Sequence, residues 1–398
     1  MNIFIIPSWY PTPKIPIGGI FVKEQAMAIS ELCPNDNVIV AKWNNDFCYL
    51  NVKKPHTIPK SISIYLFDSI LDKQITDNFY EFYTPSLLWS KKLHFGGYGR
   101  LYTTIKKSFL RAKKQFEKID IIHAHVSYPA GFIAYRLSKE FNIPYVITEH
   151  MGPFPFDNLL IDNKPIDEIY SAFNHAKRTI AVSNYLSDRI KSFGLPCSDV
   201  VPNFIDDNKF TPSINKKNKF TFFTLCGIST QKGIDTLLKA ISLLDNELKD
   251  KIDFLIGGTG CELNKYKKMA NKLALNNVIW LGEISRDGAP KLFQTSHAYI
   301  MLSRHETFGI VYAEAIATGI PIIATKCGGP EDIVNETNGI LVAIDSPQEA
   351  SNAIKYLYDN YLIYNQDKIR KDFENRFGKK IFVEKIMKIY KEVSSCAE

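Results

Sequence analysis

Two carboxylates, Glu306 and Glu314, lie on either side of the start of an apolar segment in Arg304-His-Glu-Thr-Phe-Gly-Ile-Val-Tyr-Ala-Glu314. Ala298-Tyr-Ile-Met-Leu302 before them has the length and composition of a buried strand, and Ile310 to Thr318 reads as a short helix stopping at Gly319-Ile-Pro321. The backbone amides of Phe308, Gly309 and Ile310 would lack partners inside that helix and carry its positive end, so a phosphate or pyrophosphate is the natural occupant. Glu314 lies about one turn further on, among Val311, Tyr312, Ala313 and Ala315. An unpartnered carboxylate there would cost several kcal/mol, so hydroxyl-bearing company such as a ribose diol is expected. Glu306 sits on the other side of the phosphates, where a group on the distal phosphate would lie. Two acids bracketing a pyrophosphate suit a nucleotide that carries a sugar. Plainer alternatives are a helix capping box in Ser303-x-x-Glu306 and a Glu314 that reaches solvent from the core edge.

The block resembles the carboxy-terminal signature of the family 4 glycosyltransferases: two Glu separated by seven residues, Phe-Gly after the first, then Ala-x-Ala-x-Gly-x-Pro-x-Ile-Ala-Thr. The resemblance implies an α/β chain of GT-B fold, two Rossmann-like domains facing each other across a cleft, that transfers a sugar with retention. It also implies that Glu314 holds the nucleotide ribose and Glu306 contacts the donor sugar. The amides of Phe308, Gly309 and Ile310 serve sugar and phosphates, with Arg304 beside them. The donor is expected to be a nucleotide-diphosphate sugar, UDP- or GDP-linked, with no other cofactor. No Asp-x-Asp occurs, which argues against a metal-clamped pyrophosphate.

Upstream, Cys226-Gly-Ile-Ser-Thr-Gln-Lys-Gly-Ile-Asp235 follows an apolar strand, and Lys232 stands before a helix where its ammonium could meet the pyrophosphate. Lys-Gly-Ile-Asp resembles the family's phosphate lysine. The basic residue usual five positions earlier is replaced by Gly227, leaving more charge to Lys232 or Arg304. Gly257-Gly-Thr-Gly260 is a weak phosphate-loop signal, and Gly328-Gly-Pro-Glu331 resembles the loop beside the nucleotide base.

In the amino-terminal half, the strand Asn2 to Ile6 feeds a Pro-rich loop ending in Gly18-Gly19, and a helix follows with Val22, Ala26, Ile29 and Leu32 inward. Paired glycines let backbone approach a ligand closely. By resemblance Gly19, with Gly18 beside it, lies against the donor phosphates and the acceptor. Ile119-Asp-Ile-Ile-His-Ala-His125 reads as a strand with both imidazoles on one face, at the carboxyl end where α/β sheets bind ligands. A metal pair lacks a third ligand. The resemblance gives His125 the donor sugar near its reacting carbon and leaves His123 as packing. Tyr145–Thr148 followed by Glu149-His150, and Thr179–Val182 followed by Ser183-Asn184, repeat the pattern of strand and polar tip. Glu149 and His150 are candidates for acceptor binding, with a general-base role or local hydrogen bonding as alternatives.

These residues need a scaffold, and 398 residues with 45% hydrophobic and 23% charged content suffice for two cores. The break from Val200 to Pro212 separates an acceptor-side domain, 1–204, from a nucleotide-sugar domain, 205–375. The latter carries strands at Phe220–Leu225, Asp253–Ile256, Val278–Leu281, Ala298–Leu302, Pro321–Ala324 and Ile340–Val342. By resemblance the helix at 376–398 returns to the first domain. Val38–Ala41 and the alternating Ser61–Phe67 read as further strands.

The seven cysteines are scattered singly, without ligand spacing, and are expected to be reduced. A net charge of +7 suits anionic small molecules or lipid, and no nucleic-acid motif accompanies it. The start lacks a signal-peptide pattern and no apolar run is long enough to span a bilayer, so a cytoplasmic setting is expected. Between Ser86 and Lys118 nine Lys or Arg face one acidic residue, with Leu101, Ile105, Phe109, Ala112 and Phe116 on one helical face. The segment is either an ordinary amphipathic helix or, with Phe79–Tyr83, Trp89 and Phe95, a surface docking on anionic lipid at the inner face of the membrane.

The expected partners are a nucleotide sugar and a carbohydrate or lipid-linked acceptor in bacterial surface polysaccharide or glycolipid assembly. A nucleotide-sugar 2-epimerase on a similar fold, or a non-catalytic sugar-nucleotide or lipid binder, are the alternatives. No Gly-x-Gly-x-x-Gly follows the first strand, as a nicotinamide dehydrogenase would need.

Overall fold

The computed structural model describes residues 1–43, 50, 54–89 and 97–395. The chain forms two compact units: Met1–Val182, Ser187–Val201 and Val383–Glu398 make the first, and Ser183–Leu186 with Pro202–Phe382 the second. The change of unit thus falls between Val201 and Pro202 rather than after 204, and the carboxy-terminal segment joins the first unit from Val383 rather than from 376. Phe377 packs on Phe308 and Phe382 on Phe204, both partners in the second unit, which keeps the chain there until Phe382.

The first unit is built on strands β1 (Asn2–Pro7), β2 (Asn37–Lys42), β3 (Leu71–Gln74), β4 (Phe79–Tyr83), β5 (Ile121–His125) and β6 (Tyr145–Glu149). After the hairpin β7 (Leu160–Ile161) and β8 (Lys164–Pro165) come β9 (Arg178–Ala181) and β10 (Asp199–Val200). The sheet order is β10-β9-β6-β5-β1-β2-β4-β3, parallel except for β3 on β4. Continuous apolar runs suit strands covered on both faces, and Ile3, Phe4, Ile5 and Ile6 are all buried. β2 lies on one side of β1 and β5 on the other, so the loops after β1 and β5 part there and leave a crevice at the strand ends. Pro7 pairs with His125, placing both at that edge.

Two sequence expectations change here, and for a third segment the plainer of two alternatives holds. Ser61–Phe67 is not a strand: Ile58–Phe67 is a helix with Pro in its first turn, where the missing N–H is harmless. Phe79–Tyr83 is strand β4, and Phe79 and Phe82 are buried, so neither ring is available to a bilayer. The helix Tyr98–Phe116 buries Leu101, Ile105, Phe109 and Ala112 in its own unit's core, as the plainer alternative held. On its polar side Arg111 binds Asp72 and Lys106 binds Glu140. Trp89 is 40% exposed, and Phe95 lies outside the described residues.

The second unit carries β11 (Phe220–Leu225), β12 (Ile252–Gly257), β13 (Val278–Gly282), β14 (Ala298–Met301), β15 (Ile322–Thr325) and β16 (Gly339–Val342). Their order is β13-β12-β11-β14-β15-β16, parallel throughout. Its switch point lies between β11 and β14. The loops that part there are those of Lys232 and Glu306.

Candidate functional site

After β11, a single 3-10 turn at Thr230–Lys232 leads through Gly233, at φ +63°, into the helix Ile234–Ser242. A Cβ on Gly233 would lie 1.8 Å from the Leu302 carbonyl oxygen, so only glycine lets this helix start against the end of β14. That approach brings the Lys232 ammonium 2.5 Å from Glu306 Oε1, which also accepts from Ser303 Oγ at 2.9 Å. Glu306 donates its N–H to Cys327 C=O and accepts at its own C=O from Gly329 N–H, which fixes its backbone between two loops. The capping-box alternative falls away: the helix begins at Ile310, and Ser303 bonds the Glu306 carboxylate instead.

Gly309, at φ +87°, turns the chain into the helix Ile310–Ala317. Tyr312 N–H to Gly309 C=O, at 3.0 Å, belongs to its first turn, so the amides of Phe308, Gly309 and Ile310 stand at the positive end. Glu314 is 4% exposed, which removes the alternative of a side chain reaching water. Its carboxylate has Arg286 Nη1 at 3.8 Å. Sequence reasoning missed Arg286. The available signal was a cation just beyond the carboxyl end of β13.

Arg304, expected beside the phosphates, has its guanidinium bound by Asp235 and Asp345 and donates to Thr230 C=O, so its charge is shared with two carboxylates of the fold. The Asp235 and Asp345 hydrogen bonds hold it further above its already high pKa. Gly258 and Gly260 are also explained without a phosphate, since Cβ atoms there would lie 1.9 and 2.0 Å from the Cys226 and Ile228 carbonyl oxygens. Gly227 faces open space. Ser183 and Asn184 belong to the second unit. Ser183 Oγ donates to Thr307 C=O at 2.5 Å, and Asn184 binds Asp332 through both its N–H and its side-chain amide. The two residues brace the Glu306 loop and the turn Gly329–Asp332, a role their sequence position did not suggest.

In the first unit a Cβ on Gly19, at φ +66°, would lie 2.2 Å from the Trp9 carbonyl oxygen, and one on Gly18 would lie 2.9 Å from the Ile15 side chain. His123 is a packing residue with both ring nitrogens engaged, by Tyr390 Oη at 2.5 Å and Thr148 Oγ1 at 2.8 Å. His125 Nδ1 lies 3.0 Å from His150 Nε2. Burial brings His125 down to about 3 and holds His123 and His150 well below the usual range, so all three rings are neutral near pH 7. The second ring nitrogen of His150, Nδ1, is buried with no hydrogen-bond partner among the described residues. A buried unpaired N–H is rarer than a bare lone pair, which favours His150 protonated at Nε2 and donating to His125 Nδ1. His125 Nε2 then carries a hydrogen it can donate.

Glu149 makes the local hydrogen bonds that stood as the alternative to acceptor binding. It is fully buried, and its carboxylate accepts from the backbone N–H of Ser127, His150 and Met151. It shapes the loops that follow β5 and β6. Burial pushes its carboxyl above the usual range against those three bonds.

Among the described residues no group of three or more His, Cys, Asp or Glu is arranged to hold a metal ion, and five cysteines are free thiols. Among the described residues no helix is long and apolar enough to cross a membrane.

Two doubly wound α/β units, one with a cation, a carboxylate and a helix amino end at its switch point, define a two-domain α/β protein whose strand-end loops are placed to bind ligands. Residues 205–379 match the family described as glycosyl transferases group 1, and residues 81–209 match glycosyltransferase family 4. An uncharacterized glycosyltransferase of Methanocaldococcus jannaschii is 27% identical over 286 residues, 70% of this chain and 77% of that protein. The alpha-monoglucosyldiacylglycerol synthase of Streptococcus pneumoniae is 26% identical over 237 residues, 54% of this chain and 53% of that protein. The crystal structure of Anabaena HepE in complex with UDP-glucose superposes with a TM-score of 0.69 at 17% identity, over 98% of this chain and 100% of that one. The chain belongs to the family 4 glycosyltransferases and has the GT-B fold.

Proposed function

We propose that this glycosyltransferase moves a sugar from a UDP- or GDP-linked donor to an acceptor hydroxyl with retention of configuration, from the cytoplasm, in glycolipid or surface-polysaccharide assembly. The observation that carries the donor assignment is Glu314, a carboxylate buried in an apolar helix that starts at Gly309, whose amino end would meet a diphosphate. The name of the pneumococcal relative, a glycolipid synthase, and the UDP-glucose held by HepE support the acceptor and donor classes.

The helix amides and Lys232 would meet the diphosphate and stabilise the charge that grows on it as the C1–O bond breaks, so protein groups take the place of a metal ion. Diphosphate oxygens would compete for the Lys232 ammonium and free Glu306 for sugar hydroxyls. The acceptor oxygen bonds to C1 on the face the diphosphate leaves, and the acceptor proton passes to the leaving phosphate oxygen.

A thermal-shift screen of nucleotide sugars tests the donor assignment. Wild type should be stabilised by at least one UDP- or GDP-sugar and Glu314→Ala much less. Equal shifts in both would refute the ribose role.

A further inference from the structure

A cavity of 1220 Å³ opens in the first unit. Its walls are Trp9 from the loop after β1, Tyr128 and Pro129 just after β5, Phe156 from the loop after β6, and the β7–β8 hairpin. It therefore occupies that unit's own switch point. Its walls also belong to the same loops as the residues to which the family resemblance assigns the reacting sugar and the acceptor. The Trp9 carbonyl is the group against which Gly19 packs, Tyr128 follows His125 closely, and Phe156 lies on the loop that begins at His150.

The floor and the walls differ in character. Trp43, Leu88 and Leu101 at the floor are buried in the unit's core. Trp9, Tyr128, Phe156 and Tyr170 line the space and are only half-buried, with the Trp9 and Phe156 rings 6.1 Å apart and inclined by 47°. Among the described residues the polar lining is Asn158 with three carboxylates, Asp162, Asp167 and Glu168, against one ammonium, Lys164.

We propose that this cavity binds the acceptor as a run of two or more neutral sugar rings, an inference that rests on the glycosyltransferase reading. The C–H-bearing face of a sugar ring is apolar and lies flat on an aromatic face, while its hydroxyls need acceptors such as carboxylates at the ring's edge. Pockets of about 300–1,000 Å³ enclose a drug-sized ligand, so this one exceeds what a single ring fills. Three carboxylates against one ammonium repel phosphate, so any phosphate of a lipid-borne acceptor stays outside the cavity. The reactive terminal hydroxyl would then point to the Gly19, His125 and His150 end.

Saturation-transfer NMR with the full chain tests this, using neutral gluco-, manno- and N-acetylglucosamine oligosaccharides of one to four rings, with dodecyl phosphate as the lipid-type probe. At least one tetrasaccharide should bind ten-fold or more tighter than its monosaccharide. Trp9→Ala and Phe156→Ala should each weaken it at least ten-fold, while the thermal shift given by a nucleotide sugar persists. Phe156→Leu, which keeps bulk and loses the ring face, should lose the same affinity and guards against misfolding of the alanine variant. The proposal is overturned if wild type responds to a nucleotide sugar and binds no oligosaccharide, if the substitutions leave saccharide binding intact, or if dodecyl phosphate binds in preference. Saccharide binding without any nucleotide-sugar response would instead overturn the transferase reading while keeping the cavity as a sugar site.

Discussion

The Lys232 ammonium lies 2.5 Å from the Glu306 carboxylate, their side chains 23% and 11% exposed, and each comes from a loop on one side of the β11/β14 switch point. A charge pair this enclosed is more than a surface ornament, because removing one partner strands the other in a place with little water. Lys232→Ala should lower kcat about 10²-fold or more, the scale of losing a group aimed at developing charge, and should weaken UDP or GDP binding. Glu306→Gln should also lower kcat, yet bind the free nucleotide diphosphate as tightly as wild type or tighter, since the ammonium is released. Product-inhibition constants separate the two. A matching loss of nucleotide affinity in Glu306→Gln would show that Glu306 does not restrain Lys232.

Arg304 is expected to act on stability before it acts on catalysis. Its guanidinium ties the turn before the helix Ile234–Ser242 to Asp235 and to Asp345 in the loop after β16. Arg304→Gln leaves two carboxylates facing each other without their cation, and a loss of about 1–3 kcal/mol is expected. Denaturant titration should show it, while residual folded enzyme keeps most of its donor affinity. A variant of unchanged stability that no longer binds donor would return Arg304 to the phosphate site.

Parts of this were readable in the chain because local pattern and burial agree. The six strands of the second unit are near-continuous apolar runs, as a sheet covered on both faces requires, and Glu314 stands out because its neighbours are apolar. Ser61–Phe67 misleads for the opposite reason. Ile62, Leu66 and Phe67 are exposed, so alternation there marks no buried face, and Pro59 was the better signal. Arg286 beside Glu314 depends on the loop after β13 meeting the helix Ile310–Ala317, and the pairing of Arg304 with Asp345 spans 41 residues. The cavity is assembled from separate loops and a hairpin turning at Asp162-Asn163, both at positive φ. None of those distances is written in a periodicity.

Three buried imidazoles give the first unit a pH response. An imidazole whose folded pKa lies below the free value near 6.5 binds fewer protons folded than unfolded, so its stabilisation is full above 6.5 and is lost as pH falls. For His125, at about 3 when folded, the loss begins near 6.5 and runs at roughly 1.4 kcal/mol per pH unit toward 3. Glu149, raised by burial, works in the opposite direction above its ordinary range and offsets part of it. Urea midpoints followed by tryptophan fluorescence should drop between pH 7.5 and 5.5. His123→Asn, which removes one such group, should flatten the dependence. A pH-independent midpoint over that interval would mean that the rings are charged or solvated in the folded state.

Gly227 offers a gain of function. The family's usual cation is missing there, and a Cβ at this position meets nothing within 4 Å. Its φ lies outside the left-handed region, so a side chain adds no backbone strain. The preceding Cys226 thiol, pushed up chiefly by burial, also feels the charges of Lys232 and Glu306, so this loop lies within electrostatic reach of that pair. Gly227→Arg should therefore fold as well as wild type and bind a nucleoside diphosphate about three- to ten-fold more tightly at low salt, a gain of roughly 0.6–1.4 kcal/mol. Sodium chloride should erode the gain, because a partly exposed pair is screened. The uncharged nucleoside should show none of it. Isothermal titration with UDP, GDP and the matching nucleosides decides: identical diphosphate affinities in variant and wild type would mean that the vacancy at 227 lies away from the leaving group, leaving Lys232 and the helix amides to carry its charge.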